Sequence, residues 1–361
     1  MVDPGAGPQV LVYGAGAVGS LLAASIAEAR GASGERPAVT VLGRRPHVAS
    51  IRTWGLVVES REGRLVSKAV DSITALDDLA APPDVVVLTV KAYQVPEALA
   101  LLAGVLARPE VSVVAFQNGI GSEATIVGVI GSDRTVSGTV TISVELERPG
   151  VVRRHTAGGG VALAPVGTGA PVARVAALFR SSILSVRVYP DAAPMKWSKL
   201  LLNILANAAS AILDLPPRAI AQDPRLFALE RAAFREAVRV MRGLGLRPVA
   251  LPGYPVPLLV RVMSAPPFAG QAVLRRALGR GRGDKMPSLW HDLERGRRQN
   301  EVTVLNGAVA REGERLGIPV PVNRTLTSVL LDLAEGRADR DAYRHNGEKL
   351  LKACRESGAR V

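Results

Sequence analysis

An apolar run that ends directly in a glycine-rich turn constrains the fold of this chain more than any other feature. Residues 9–13 read QVLVY, residues 14–19 read GAGAVG, and small and apolar residues follow to about Arg30. This order of strand, GxGxxG turn and helix is typical of dinucleotide-binding folds, in which the glycines let a pyrophosphate approach the helix N-terminus. A purely structural turn is the alternative. We predict that six consecutive residues bind a cofactor: Gly14, Ala15, Gly16, Ala17, Val18 and Gly19.

The segments that follow this turn predict a parallel sheet with added hairpins. Residues 84–90 and 111–116 are Val-rich runs, which are typical of strands buried on both faces of a parallel sheet. Shorter apolar segments predict two hairpins and a last strand: 55–59 with 64–68, 151–154 with 160–164, and 186–189.

From about Asp191 the sequence changes to helical periodicity. We therefore predict an α/β protein, with an N-terminal Rossmann-type dinucleotide-binding domain over residues 1–190 and an all-helical C-terminal domain for substrate and catalysis over residues 191–361. The Pro- and Gly-bearing stretch 251–287 gives no clear prediction of secondary structure, and its GRGRG segment at 279–283 is typical of a mobile loop.

The strongly basic composition does not predict a nucleic-acid partner. The formal net charge is +13, but only seven of the 45 basic residues are Lys, and the arginines are scattered along the chain. Aromatic residues make up only 4% of the sequence, which leaves few side chains for stacking on bases. We interpret the charge as a compositional bias toward Arg and expect no nucleic-acid binding.

Composition also limits the cellular setting and the cofactor class. Cys354 is the only cysteine, so no intrachain disulfide can form, which favours a reducing compartment, the cytoplasm. No apolar run approaches the roughly 20 residues of a membrane span, and we expect neither an export signal nor a membrane anchor. The four histidines, at 47, 155, 291 and 345, show no metal-ligand spacing, and we expect no metal.

The end of the second apolar run indicates which dinucleotide binds. Residues 39–42 are followed by Gly43-Arg44-Arg45, where NAD-binding proteins place an Asp or Glu for the ribose 2′-hydroxyl. A guanidinium group suits the 2′-phosphate of NADP instead. We predict NADP(H) as the cofactor and Arg44 as one of its ligands, with a simple effect of the Arg bias as the alternative.

Two later strands end in polar residues. Lys91 follows the run at 84–90, and Asn118 follows the run at 111–116. Ligands of open α/β sheets bind beyond the carboxyl ends of the strands, where these side chains fall. We expect Lys91 and Asn118 to be site residues, although solvated loop positions are equally compatible with the spacing.

The segment 195–207 carries the clearest signal for catalysis. Lys199, Asn203 and Asn207 are spaced four apart among Leu, Ile and Ala, so a continuous helix would place them on one face. Burying a cation and two amides without partners is unfavourable, which predicts that this face contacts a ligand. In the alternative, the Lys extends to water and the amides cap neighbouring backbone.

In their order along the chain, these motifs and several later ones resemble the ketopantoate reductase family, whose members are also called 2-dehydropantoate 2-reductases. The resemblance covers nearly the whole chain. It rests on GAGAVG, Lys91-Ala-Tyr-Gln94, Gln117-Asn-Gly119, Trp197-x-Lys199-x3-Asn203-x3-Asn207, Pro287-Ser288, Asp292-Leu-Glu-Arg-Gly296, Glu301 ahead of Asn306-Gly307, and Gly317-Ile-Pro-x-Pro321-x-Asn323.

The resemblance implies a role for each matching residue. Lys199 matches the proton donor, which assists hydride transfer from NADPH to a ketone carbon. Asn203, Asn207 and Ser288 match substrate-binding groups. Lys91 and Asn118 match residues near the cofactor and the reacting carbonyl, and Glu301 matches a cofactor-side carboxylate. Glu301 lies one residue further from Asp292 than the family spacing, so Asn300 is a competing match, and residues 214–217 show no clear equivalent of a further polar contact.

The resemblance further implies a small 2-oxo acid as substrate, namely 2-dehydropantoate, which is reduced to (R)-pantoate for pantothenate synthesis. Two alternatives stay open. One is a reductase of a different 2-oxo acid, or a dehydrogenase that acts on a different hydroxy acid or polyol, and the other is a non-catalytic NADP-sensing regulator. The sensor has no need of an ammonium group at Lys199. Apolar helical faces can pack within a domain or between subunits, so a homodimer is compatible with the sequence but does not follow from it.

Overall fold

The computed structural model describes residues 7–30, 34–179, 183–265 and 284–361. It divides into two compact units. The first comprises Met1–Gln117, Ser122–Met195 and Leu251–Tyr254, and the second comprises Asn118–Gly121, Lys196–Ala250 and Pro255–Val361. The predicted α/β class, with a parallel-strand N-terminal domain and a helical C-terminal region, is confirmed.

An eight-stranded sheet forms the framework of the first unit. In spatial order its strands are β12 (Ser185–Val188), β11 (Gly160–Pro165), β8 (Thr135–Val140), β7 (Ser112–Ala115), β6 (Val85–Leu88), β1 (Gln9–Tyr13), β2 (Ala38–Leu42) and β5 (Val70–Ile73). All neighbours are parallel except β8 and β11. The Val-rich strands β6 and β7 are buried along their whole length, as their composition predicts.

A second, four-stranded sheet has the order β4 (Gly63–Ser67), β3 (Leu56–Ser60), β10 (Val151–Arg154) and β9 (Val144–Arg148). The predicted hairpin over 55–59 and 64–68 is confirmed by the antiparallel pair of β3 and β4. The predicted hairpin between 151–154 and 160–164 is wrong. β10 pairs instead with β9, across a turn at Pro149 and Gly150 where Gly150 has a φ of +75°, while β11 joins the main sheet beside β8.

Among the described residues of the first unit, six α-helices accompany the sheets: α1 (Ala17–Ala27), α2 (Arg45–Trp54), α3 (Val95–Leu101), α4 (Ala103–Leu106), α5 (Ser122–Ile130) and α6 (Val172–Ala177). Helix α1 is buried over most of its length, because its small and apolar side chains pack between elements of both sheets. This packing explains why the helix after the glycine-rich turn has no polar face.

The second unit consists of helices in its described residues. They are α7 (Ala192–Ile204, within this unit from Lys196 onward), α8 (Asn207–Leu213), α9 (Pro217–Gln222), α10 (Pro224–Gly243), α11 (Val256–Ser264), α12 (Ser288–Glu294), α13 (Asn306–Arg315), α14 (Pro321–Ala334) and α15 (Gly347–Glu356). Helix α10 starts where Asp223 caps it, since the carboxylate accepts the N–H groups of Arg225 and Leu226.

Two predictions for the second unit are not confirmed. The expectation of one continuous helix through Lys199, Asn203 and Asn207 is wrong, because α7 ends at Ile204 and α8 begins at Asn207, with Ala206 in the left-handed region between them. The segment 279–283, expected to be a mobile loop, lies outside the described residues. Among the helices that the structure describes, none is both long and apolar enough to cross a membrane.

Candidate active site

The glycine-rich turn at the carboxyl end of β1 leaves no room for side chains at two of its three glycines. Gly14 has a φ of +113°, and a Cβ there would lie 2.8 Å from the nitrogen of Val90. A Cβ at Gly19 would lie 2.1 Å from the carbonyl oxygen of Gly14. Gly16, by contrast, is exposed and has open space at its Cβ position. The backbone of the turn is therefore closely packed at Gly14 and Gly19, and there is open space beside Gly16.

Thr89 fixes this turn from the end of the neighbouring strand, a role that sequence patterns did not predict. Its hydroxyl donates to the carbonyl oxygen of Gly14 at 2.7 Å and lies 3.2 Å from that of Tyr13. Thr89 directly follows β6, at the sheet edge where the glycine-rich turn lies. A hydroxyl residue immediately before Val90-Lys91 was the only sequence signal for this role.

Arg44 directly follows Gly43, a residue that closely approaches the glycine-rich turn. A Cβ at Gly43 would lie 2.7 Å from the Cβ of Ala15, so the end of β2 passes very close to the turn. Arg44 then caps α2 with extended backbone, and its side chain is exposed. An exposed guanidinium group directly after this close approach can bind an anion.

Lys91 and Gln117 follow the adjacent strands β6 and β7. Lys91 is half-buried and precedes a short 3-10 helix at Ala92–Gln94, whose Gln94 side chain accepts the Lys91 N–H at 3.2 Å. The Gln117 amide donates to the carbonyl oxygens of Leu88 and Val90, at 2.9 and 3.2 Å. Gln117 thus ties the two strand ends together.

Asn118 belongs to the second unit with the next three residues. Its side-chain oxygen accepts a hydrogen bond from the Asn203 amide at 3.1 Å. Gly119 is left-handed, with a φ of +80°, and a Cβ there would lie 2.3 Å from the carbonyl oxygen of Val304. That same oxygen accepts the N–H of Ile120 at 3.0 Å. The Asn118 segment is therefore fixed against α7 and against the turn after Glu301.

Lys199, Asn203 and Asn207 remain neighbours in space although the helix breaks between Asn203 and Asn207. Lys199 and Asn203 are half-buried and lie one turn apart on the same face of α7. Asn207 is buried, and its amide donates to the carbonyl oxygen of Asn203 at 3.0 Å. Its side-chain oxygen accepts the N–H of Leu289 at 3.3 Å. Asn207 therefore joins the end of α7 to the first turn of α12.

Ser288 is the first residue of α12 and is exposed, directly before the Leu289 amide that Asn207 accepts. Ser288 is thus the sequence neighbour of Leu289, whose N–H donates to the Asn207 side chain. Among the described residues of the second unit, the structure therefore brings together the predicted substrate groups in one series: Asn118, Asn203, Asn207 and Ser288.

Asn300 and Glu301 have different surroundings. The Asn300 side chain accepts the N–H of Val302 at 2.9 Å and so caps the 3-10 helix at Glu301–Val304. Glu301 is buried as the first residue of that helix, three residues before the Val304 carbonyl that contacts the Asn118 segment. The capping bond gives the Asn300 side-chain oxygen a structural role, while its Nδ2 is buried without a hydrogen-bond partner among the described residues.

Asp214, in the region where the sequence showed no clear polar equivalent, is engaged with other side chains. It occupies the left-handed region at the end of α8, with a φ of 53°. Its carboxylate accepts the indole N–H of Trp290 at 2.6 Å and lies 3.0 Å from Nε of Arg344. We conclude that Asp214 fixes the end of α8 against α12.

Two family models match the sequence. The first, described as "Ketopantoate reductase PanE/ApbA", covers residues 10–167, and the second, described as "Ketopantoate reductase PanE/ApbA C terminal", covers residues 191–334. The 2-dehydropantoate 2-reductase of Halobacterium salinarum is 29% identical over 330 residues, which are 89% of this chain and 97% of that protein.

Solved structures show the same similarity. A PanE/ApbA family ketopantoate reductase from Ralstonia eutropha superposes with a TM-score of 0.73 at 26% identity, over 91% of this chain and 99% of that one. D-mandelate dehydrogenase with NADH and anilino(oxo)acetate superposes with a TM-score of 0.74 at 21% identity, over 91% and 99% of the two chains. At that identity the second similarity concerns the fold alone.

Proposed function

This chain belongs to the ketopantoate reductase family, and we propose that it reduces 2-dehydropantoate to (R)-pantoate with NADPH, with Lys199 as the proton donor. Its similarity to 2-dehydropantoate 2-reductases indicates an oxidoreductase that acts on a CH–OH group. The observation that carries the proposal is the hydrogen-bonded series of Asn118, Asn203 and Asn207 beside Lys199, which ends next to Ser288.

The glycine-rich turn fits a dinucleotide. A pyrophosphate needs backbone amides that it can approach closely, and Gly16 is open while Gly14 and Gly19 keep the turn compact. In the first unit, the residues that would bind NADPH are those of the turn, Gly14 to Gly19, with Arg44 for the 2′-phosphate and Lys91. For Asn118 and Glu301, in the second unit, the cofactor-side roles are those that the family resemblance implies. When bound, the cofactor supplies the hydride.

Lys199 and the amides would handle the substrate. As hydride reaches the ketone carbon, negative charge develops on the carbonyl oxygen, and the Lys199 ammonium donates a hydrogen bond and then a proton to that oxygen. Asn203, Asn207 and Ser288 orient the carboxylate and hydroxyl of the acid. Because the side chains of Asn118 and Asn203 are already hydrogen-bonded to each other, part of the site is organised before substrate binds.

A different 2-oxo acid is the second candidate for the substrate. D-mandelate dehydrogenase shares the fold, which shows that this architecture occurs with NADH and with an aromatic 2-oxo acid analogue. In this chain, Asp214 is engaged with Trp290 and Arg344 where the family resemblance leads one to expect a further polar contact. A change in the pocket at this place would alter which acid binds and leave the role of Lys199 unchanged.

The test is an assay of NADPH oxidation with 2-dehydropantoate, run beside NADH and a panel of other 2-oxo acids at equal concentration. Saturable turnover that favours NADPH and 2-dehydropantoate supports the proposal. Preference for another acid moves the substrate and keeps the mechanism. Binding of NADPH without turnover of any acid favours the non-catalytic sensor.

A Lys199→Ala variant tests the proton donor. We expect turnover to fall at least about 100-fold, the scale of a lost general acid, while NADPH still binds with the affinity of the wild type. Lys352→Ala is the matched control, because Lys352 is an exposed lysine of the same unit on α15. Turnover by Lys199→Ala equal to that of this control would exclude Lys199 as the acid.

A further inference from the structure

The break between α7 and α8 is stabilised by a buried carboxyl group from α10. Ala206 lies in the left-handed region, with a φ of 52° and a ψ of 17°, which is unfavourable for a residue with a Cβ. Its N–H donates to Oε2 of Glu230 at 2.7 Å. In a continuous helix this N–H would instead donate to the carbonyl oxygen of Leu202, four residues earlier. Glu230 therefore replaces the hydrogen bond that the helix loses at the break.

A glutamate at position 230 is not explained by folding stability alone. The residue is only 3% exposed, and its second oxygen, Oε1, is buried without a hydrogen-bond partner among the described residues. Burial of a carboxyl group with a single hydrogen bond is unfavourable, and an apolar side chain of similar volume is often equally or more stable at such a site. The contribution of Glu230 therefore lies in the backbone geometry that its one bond fixes.

That geometry determines where Asn207 points. Asn207 is the first residue of α8, directly after Ala206, so the direction of α8 depends on the left-handed residue. From this position the Asn207 side chain reaches both the Asn203 carbonyl, at 3.0 Å, and the Leu289 amide, at 3.3 Å. A continuous helix would carry Asn207 along the line of Lys199 and Asn203 instead.

We propose that Glu230 is a positioning residue for the substrate-binding amides: by accepting the Ala206 N–H, it holds the helix break that brings Asn207 to the first turn of α12, beside Ser288. The inference rests on the proposed function for the role of Asn207 in substrate binding. Glu230 itself touches neither substrate nor cofactor in this scheme, and Lys199 lies before the break.

Two substitutions separate the hydrogen bond from the bulk of the side chain. Glu230→Gln keeps an oxygen that can accept the Ala206 N–H, whereas Glu230→Met has a similar volume and no such acceptor. We expect Glu230→Met to raise the KM for the 2-oxo acid about tenfold, as for the loss of one well-placed hydrogen bond, with little change in kcat or in NADPH affinity. Glu230→Gln should restore the wild-type KM.

Val240→Ala is the control for general damage to α10. Val240 is fully buried on the same helix, so its truncation creates a cavity away from Ala206. We expect this variant to melt at a lower temperature with an unchanged KM, whereas Glu230→Met should melt no lower than Val240→Ala. A wild-type KM in Glu230→Met, or an equal rise of KM in Val240→Ala, would overturn the inference.

A readout without turnover separates this inference from the proposed function. The Leu289 amide is protected by Asn207, so hydrogen–deuterium exchange of peptides covering 203–208 and 287–291 reports the geometry directly. We expect faster exchange in both peptides for Glu230→Met and not for Glu230→Gln. If the wild type reduces no 2-oxo acid but the exchange result holds, the proposed function fails and the positioning of Asn207 stands. Unchanged exchange at 287–291 in Glu230→Met would disprove the positioning.

Discussion

At the scale of single residues, the charge at the end of β2 determines which cofactor we expect. Arg44 is exposed and follows Gly43, which passes so close to Ala15 that a Cβ on Gly43 would lie 2.7 Å from the Ala15 Cβ. Arg44 is therefore the first cation after β2, directly after the residue that approaches the glycine-rich turn. A guanidinium group there binds a phosphate through charge-assisted hydrogen bonds but gives no such gain with the 2′-hydroxyl of NADH.

We predict that Arg44→Ser raises the KM for NADPH about 10- to 100-fold, the equivalent of losing a hydrogen bond to a charged group. The KM for NADH should stay within about threefold, because the lost contact is specific to the 2′-phosphate. Steady-state kinetics with both cofactors measure the ratio, with Arg64→Ser, an exposed arginine of the same unit on β4, as the control. An equal loss for NADPH and NADH would show that Arg44 does not recognise the phosphate.

At the scale of elements, periodicity predicted most of the framework and failed where long-range contacts decide the backbone. The Val-rich strands and the glycine-rich turn are local signals, and the structure has them. The break after Ile204 has no local signal, because neither Gly nor Pro occurs there, and the Ala206 N–H is bonded by Glu230, 24 residues later. Sequence spacing therefore predicted that Lys199, Asn203 and Asn207 belong together, but not how they are arranged.

The misassigned hairpin has a related cause. Strand β9 reads VELER and is largely exposed, so it lacks the apolar pattern by which strands are predicted. Pro149-Gly150 after it is nevertheless a strong turn signal. The predicted hairpin also lacked β8, the TVSGTV strand that is buried throughout and that pairs with β11. Thr89 was overlooked as a site residue because its bond to the Gly14 carbonyl joins two strand ends.

The glycine-rich turn supports a prediction that separates two roles of its glycines. Gly19→Ala should destabilise the protein by about 1–3 kcal/mol even without cofactor, because its Cβ would meet the backbone oxygen of Gly14. Gly16→Ala should melt like the wild type without cofactor, since its Cβ position is open, yet bind NADPH more weakly where the pyrophosphate must approach. Thermal melts with and without NADPH measure both effects. Equal melting temperatures for the two variants without cofactor would contradict this assignment.

At the scale of the whole molecule, the two compact units carry different parts of the chemistry. The first contains the glycine-rich turn, Arg44 and Lys91, and the second contains Lys199, the three asparagines, Ser288 and Glu301. Stability of the second unit can be followed separately, because Trp197 and Trp290 belong to it, whereas Trp54 of the first unit is 70% exposed and changes environment little on unfolding. The free energy of unfolding of the second unit should depend on pH in part through Glu230.

Burial raises the pKa of Glu230 from an ordinary 4.5 to about 7, opposed in part by the Ala206 hydrogen bond. Between these two values the folded state binds the proton more tightly than the unfolded state, so stability is lost as pH rises through the window. The shift corresponds to about 3 kcal/mol between pH ~4.5 and pH ~7. Glu230→Gln lacks this titration, and we predict that its stability relative to the wild type rises by that order over the window.

Denaturant unfolding followed by tryptophan fluorescence, at several pH values from about 5 to about 8, measures the difference between the two proteins. Other buried groups cancel in that difference, including Glu236, whose pKa is also raised by burial. A difference that stays constant with pH would mean that Glu230 titrates normally. Because Gln keeps the acceptor for Ala206, the same variant should gain stability at neutral pH while its KM for the 2-oxo acid stays unchanged, which separates the charge of Glu230 from its hydrogen bond.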